Sequence, residues 1–192
     1  WALLLSLAYS GTLTLARRLG ISGAPAVTAA VCYALSPRVI TTLTAISSEA
    51  WPVALVPWTL VPLVGRRPNA AAAIVPVALM GGVNATATAA ACVPAGLYLL
   101  ARREPRAAAR FAAGALTVSA WWIGPLFVLG RYSPPFTEFI ESASVTTAWL
   151  NPVEILRGTT SWSTFVETER AAGFLLVAEP TFIIATCAVA AL

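Results

Sequence analysis

Lysine, aspartate and histidine are all absent from the 192 residues: every cation is one of twelve arginines and every anion one of eight glutamates. Without an imidazole there is no Ser-His or Cys-His nucleophile, no histidine zinc ligand and no proton relay titrating near neutral pH. Cysteine is scarce too. Cys32, Cys92 and Cys187 stand far apart in apolar runs with no paired spacing, a pattern of small buried hydrophobes rather than of ligands or disulfides. Charge of either sign is thin, at 10% of residues against the roughly 25% of soluble domains.

Apolar length is what the chain has in abundance. Hydrophobic residues make up 58% of it, the mean hydropathy is +0.79, and the expected class is an all-α, polytopic transmembrane helical bundle. The chain begins at Trp1 without Met, basic n-region or cleavage site, and its last apolar run reaches Leu192 in mid-helix. The expectation is a stretch from within a longer protein, residues 1–192 being part of a single transmembrane domain.

A span needs enough apolar residues to cross about 30 Å of hydrocarbon, and flanking arginines orient it. Residues 1–15 form a first run ending at Arg17 and Arg18, and 21–35 a second ending at Ser36, Pro37 and Arg38. Residues 39–50 are too polar to span and read as one interfacial helix or loop closed by Glu49. Residues 51–64 are apolar and stop at Arg66 and Arg67, and 69–101 read as a tight helical hairpin of short arms with Asn84 at its tip. Residues 111–129 make one good span, and Pro180 suits the first turn of a final helix.

If the spans alternate, eight arginines (Arg17, Arg18, Arg66, Arg67, Arg102, Arg103, Arg106 and Arg110) share one face with Glu104 alone against them. That face carries +7 and the other −3. The positive-inside rule then puts the arginine clusters in the cytoplasm, beside lipid headgroups, and residues 131–170 outside. One face therefore accounts for the basic charge, and no nucleic-acid partner is expected.

Residues 131–170 hold five of the eight glutamates, three arginines and many Ser and Thr. Phe136, Phe139, Ile140 and Ala143 recur at helical spacing, so an external loop with short amphipathic helices lying in the interface is expected. Asn151-Pro152 should open a short helix that Gly158 ends, and Thr164 with Glu167 fits a capping box. Trp149 and Trp162, with Trp51 and Tyr132, fit an aromatic belt, or in the case of the first two a sugar contact.

Chemistry at an outer face draws on a lipid-linked donor whose tail stays in the bilayer. An arginine at headgroup depth can grip its phosphate with two parallel hydrogen bonds, and a carboxylate can take a proton from the acceptor hydroxyl. Arg38 and Arg131 lie at the right depth for the phosphate. Glu141 and Glu49 are the carboxylates for acceptor or orienting roles. Each of these residues could equally be a solvated or snorkelling interfacial group.

The runs YALSPR (33–38), SSEAWPVALVPW (47–58), GGVNATAT (81–88) and above all WWIGPLFVLGRYSPPFTEFIESA (121–143) resemble the membrane region of the actinobacterial alpha-(1->3)-arabinofuranosyltransferase family, GT-C enzymes of cell-wall arabinan synthesis. The resemblance covers nearly the whole chain. It implies a partial GT-C fold in the plasma membrane, decaprenylphosphoryl arabinofuranose as donor and arabinan as acceptor. It also implies that the principal catalytic base lies outside this chain, since such enzymes carry it in a first external loop. No cofactor is identifiable, and the ligands of any divalent metal would lie outside this chain. Two rivals from other classes remain at this stage. A transporter or lipid flippase would show internal repeats and mid-membrane polar residues, neither of which is evident. A noncatalytic scaffold of a cell-wall complex would need no base at all.

Overall fold

The computed structural model describes residues 1–45, 47–82, 84–134, 151–159, 175 and 178–191. In chain order its helices are α1 (Ala2–Arg18), α2 (Ala24–Ala34), α3 (Pro37–Ala45), α4 (Ser47–Leu60), α5 (Ala70–Met80), α6 (Ala85–Ala101), α7 (Pro105–Tyr132), α8 (Pro152–Arg157) and α9 (Pro180–Ala191). No strand occurs among the described residues.

Short-range chemistry sets most of these boundaries. Pro37, Pro105, Pro152 and Pro180 each open a helix, where a missing N–H costs nothing. The side chains of Asn69, Asn84 and Asn151 cap α5, α6 and α8 by accepting from Ala72 N at 3.0 Å, Ala87 N at 2.9 Å and Val153 N at 2.9 Å. Gly158, at φ 69°, closes α8 in the left-handed conformation. The expected hairpin tip at Asn84 and the short helix from Pro152 to Gly158 are both present.

Residues 39–50 differ from expectation. They form not one interfacial piece closed by Glu49 but most of α3 and the start of α4, with Glu49 in the first turn of α4. A carboxylate is favoured there by the positive end of the helix dipole, so Glu49 starts a helix rather than ending one.

Packing contacts order the helices along one axis. Leu4 and Ala8 of α1 share a buried cluster with Ala34 at the end of α2 and with Ala50 and Ala54 at the start of α4. Further along, Gly11 of α1 meets Pro57 and Trp58 of α4. Thus α1 and α2 run antiparallel, while α1 and α4 run parallel. A second cluster joins Leu63, Ala70, Leu99, Ala107 and Phe111, which lie next in sequence to Arg66, Arg67, Arg102, Arg103, Arg106 and Arg110. These arginines consequently gather at one end of the bundle. At the other end Trp51 donates its indole N–H to Leu79 O, and Gly82 receives Trp122.

Alanines fill many of the helix contacts, around a few large buried side chains such as Leu63, Met80, Leu99 and Phe111, while many large apolar residues lie outside. Ala8, Ala26, Ala30, Ala73 and Ala95 are wholly buried, whereas Leu79, Leu97, Phe127 and Ile184 face outward. Outward-facing apolar groups of this size are compatible with hydrocarbon surroundings. Hydroxyls fit the same surroundings, since Thr12 and Thr14 donate to Ala8 O and Ser10 O one turn back and so present no free donor.

Among the described residues one helix, α7, is long and apolar enough by itself to cross a membrane. Its 28 residues amount to about 42 Å. The eleven residues of α5 reach only about 16 Å, roughly half of a hydrocarbon core.

Candidate functional site

The sequence Ser36-Pro37-Arg38 turns the chain from α2 into α3. Pro37 opens the helix, Ser36 O accepts from Ile40 N at 3.0 Å, and Arg38 falls in the first turn. Glu49 falls in the first turn of α4, and the fold brings these two first turns together. Arg38 Nη2 donates to Glu49 Oε2 at 2.8 Å. The other carboxylate oxygen, Oε1, accepts from Asn84 Nδ2 at 3.5 Å, while Asn84 Oδ1 caps α6. A glutamate, an arginine and an asparagine from the starts of three helices thus form one polar cluster at the end opposite the eight clustered arginines.

The pair is partly open. The Arg38 side chain is 42% exposed and that of Glu49 23%, and a pair so exposed contributes only about 0–1 kcal/mol to stability. Surrounding contacts fix it from the apolar side. Tyr33 Oη donates to Val53 O at 2.7 Å, tying α2 to α4, and Trp58 Nε1 donates to Leu7 O at 3.0 Å, tying α4 to α1. Trp51 is therefore a pin between α4 and α5 rather than a free belt residue, and the adjacent tryptophans of α7 divide, Trp122 packing on Gly82 while Trp121 is exposed.

Towards the same end, α1 and α2 bear a shallow, open apolar depression of about 280 Å³, lined by Leu5, Ser6, Tyr9, Val31, Ala34 and Leu35. Leu35 on its edge is three residues from Arg38 in sequence.

The other expected site residues fare differently. Arg131 is exposed in the last turn of α7. It lies nine residues, about 13 Å along the axis, beyond Trp122, and the described structure does not join it to Arg38 or Glu49. Glu141, Trp149 and Trp162 lie outside the described residues, as do the expected helix at 136–143 and the capping box at Thr164.

Two participants were legible in the sequence chiefly as local structural residues. Asn84 was legible as a cap, but its contact with Glu49 spans 35 residues. Gly158 was legible as a helix end, yet it lies near Arg38: a Cβ there would lie 3.7 Å from Arg38 Cβ.

With this arrangement in view, comparison with known proteins is decisive. The family model for the N-terminal GT-C domain of alpha-(1->3)-arabinofuranosyltransferase matches residues 1–192. The chain belongs to this family. Similar relatives are the alpha-(1->3)-arabinofuranosyltransferases of Mycolicibacterium smegmatis and Mycobacterium tuberculosis, each 46% identical across the whole chain. The chain spans only 14% and 15% of their respective lengths. A cryo-EM structure of the arabinofuranosyltransferase AftD from mycobacteria superposes with a TM-score of 0.75 at 41% identity, over 100% of this chain and 14% of that one. A structure of a mutant form of the same enzyme matches 82% of this chain and 13% of its own, with a TM-score of 0.68 at 43% identity. For this GT-C arabinofuranosyltransferase family member, the all-helical fold and the early family resemblance therefore agree with solved relatives.

Proposed function

We propose that this chain forms part of the membrane domain of an arabinofuranosyltransferase that moves arabinofuranose from a polyprenyl-phosphate donor to cell-wall arabinan at the outer face of the plasma membrane. In this reading the chain is multi-pass, its eight clustered arginines face the cytoplasm, and residues 131–170 are external. The half-open Arg38–Glu49 pair, placed with an apolar depression towards the arginine-poor end, carries the proposal.

The depression on α1 and α2 takes part of the polyprenyl tail, and the Arg38 guanidinium takes the phosphate. Glu49 holds that guanidinium from one oxygen and is itself held by Asn84 from the other, so its role is to orient rather than to abstract a proton. Transfer is a single inverting displacement. A carboxylate outside residues 1–192 accepts the proton of the acceptor hydroxyl, the hydroxyl oxygen bonds to the anomeric carbon, and the bond from that carbon to the lipid phosphate breaks. Arg38 binds the phosphate alike in the intact donor and in the leaving group, so its contribution falls on donor affinity. Arg131, Trp149, Trp162 and Glu141 are retained as further phosphate, sugar and acceptor contacts of the outer face.

The test is arabinose transfer from the lipid donor by the full-length enzyme in bilayer discs. Removing a charged hydrogen-bond donor costs about 1.5–3 kcal/mol, so Arg38→Gln should raise the donor KM at least about tenfold. A donor KM equal to wild type would sink the phosphate role.

A further inference from the structure

The segment after Asn151 is exposed along most of its length but buried at its end. Arg157 is 7% exposed and Thr159 1%, and Gly158 between them lies near Arg38, with a Cβ added there falling 3.7 Å from Arg38 Cβ. Burying a guanidinium is costly unless its donors are satisfied, and here the anchor is specific. Arg157 Nε donates to Thr186 Oγ1 at 2.7 Å, and the Thr186 hydroxyl donates onward to Phe182 O at 2.7 Å within α9. The turn itself is tight. Thr159 N donates to Glu154 O at 3.0 Å, Gly158 N to Ile155 O at 3.1 Å, and the left-handed Gly158 keeps the backbone close to Arg38 without a side chain between them.

We infer that Arg157 is a positioning residue for Arg38: through Thr186 it fastens the 157–159 turn to α9, and the turn holds the first turn of α3 so that Arg38 faces the donor phosphate. The inference rests on the reading of Arg38 as a phosphate ligand. Glu49 and the turn approach Arg38 from different elements, the carboxylate at its guanidinium and Gly158 on its Cβ side, with room between for one added carbon. Loosening the turn leaves the charge in place and widens the directions it can take. Donor affinity should then fall while the chemical step is nearly unaffected, because the preorganised fork is what a bidentate phosphate contact needs.

The experiment uses the full-length enzyme with Thr186→Val, which keeps the shape and removes the acceptor, and Thr186→Ser, which restores it. Because the lost hydrogen bond acts on the donor only through the orientation of Arg38, the donor KM should rise about three- to tenfold in Thr186→Val, less than in Arg38→Gln. The expected kcat stays within about twofold of wild type, since uniform binding is what is lost, and Thr186→Ser should be close to wild type. In parallel, amide hydrogen exchange should quicken at 157–159 and at 38–43 together in Thr186→Val alone. Quickening confined to 157–159, or a donor KM that does not move, overturns the inference. If Thr186→Val lowers the yield of folded enzyme, Arg157→Lys keeps the cation, changes its donor geometry and is read in the same two ways. Arg38→Gln in the same series separates the premises: an unchanged donor KM there defeats the phosphate reading, whereas coupled exchange would still establish the mechanical link.

Discussion

The two ends of the bundle treat arginine in opposite ways. At one end eight arginines stand with Glu104 alone, and among the described residues none of them forms an ion pair. Arg102 instead lies over the Tyr98 ring at 5.8 Å, and Arg110 donates to Arg106 O at 3.2 Å. At the other end Arg38 is paired with Glu49, backed by Asn84 and approached by Gly158. Cations without a carboxylate partner suit a loosely defined anionic surface such as lipid headgroups. A single arginine held by a carboxylate suits a ligand of fixed geometry.

The largest effect that would break this contrast is on transfer itself. Exchanging the charges with Arg38→Glu and Glu49→Arg preserves an ion pair, so a purely structural pair would keep activity. A phosphate ligand would not, and the swap should lower kcat/KM by about a hundredfold or more, given about 1.5–3 kcal/mol for the lost contact plus repulsion from the new carboxylate. Recovery to wild-type transfer would assign the pair to stability alone.

Next in size is the packing that keeps the two ends apart. A Cβ on Gly114 would collide with Ile74, and one on Gly82 would come within 2.7 Å of Trp122 Cβ. Overpacking costs about 1–3 kcal/mol, so Gly114→Val should lower the thermal midpoint in detergent more than Gly124→Val, where nothing lies within 4 Å. Equal midpoints would show that α5 and α7 separate readily.

Asn84→Ala removes a helix cap, for which about 1 kcal/mol is typical, and also frees one oxygen of Glu49. A thermal shift with a smaller rise in donor KM than Arg38→Gln gives is expected; a KM rise as large would promote Asn84 to a direct ligand. The smallest effect is expected at the other end. Arg66→Gln with Arg67→Gln should leave donor KM within about twofold of wild type, as a surface charge distant from the ligand does, while cysteine labelling at Gly65 from the two membrane sides reports orientation. A large KM change would put donor chemistry at the wrong end.

Much of this could be read along the chain because its causes are local. Pro37, Pro105, Pro152 and Pro180 open helices, Asn69 and Asn84 cap them and Gly158 ends one, all within about one turn of the residue concerned. The same locality misled at Glu49. Its neighbours are Ser and Thr, so residues 39–50 resembled one polar loop, whereas the start of α4 and the cation eleven residues earlier gave the carboxylate a place inside a helix. Arg38 and Arg131 looked equivalent as arginines at span ends, but α7 runs on past Trp122 and carries Arg131 away from the pair.

The sequence by itself determined that the chain is helical and largely apolar, where most of its helices begin and end, and which arginines flank them. Those properties follow from hydropathy, backbone chemistry and the spacing of arginines, which act over a few residues or on the average of many. Only the tertiary structure decided that Glu49 joins Arg38 to Asn84, that Trp51 and Trp58 are pins, and that Gly158 lies near a residue 120 positions before it. Contacts of that range depend on which helix faces meet and at what depth, and that is fixed by close packing of alanines and glycines across several helices at once.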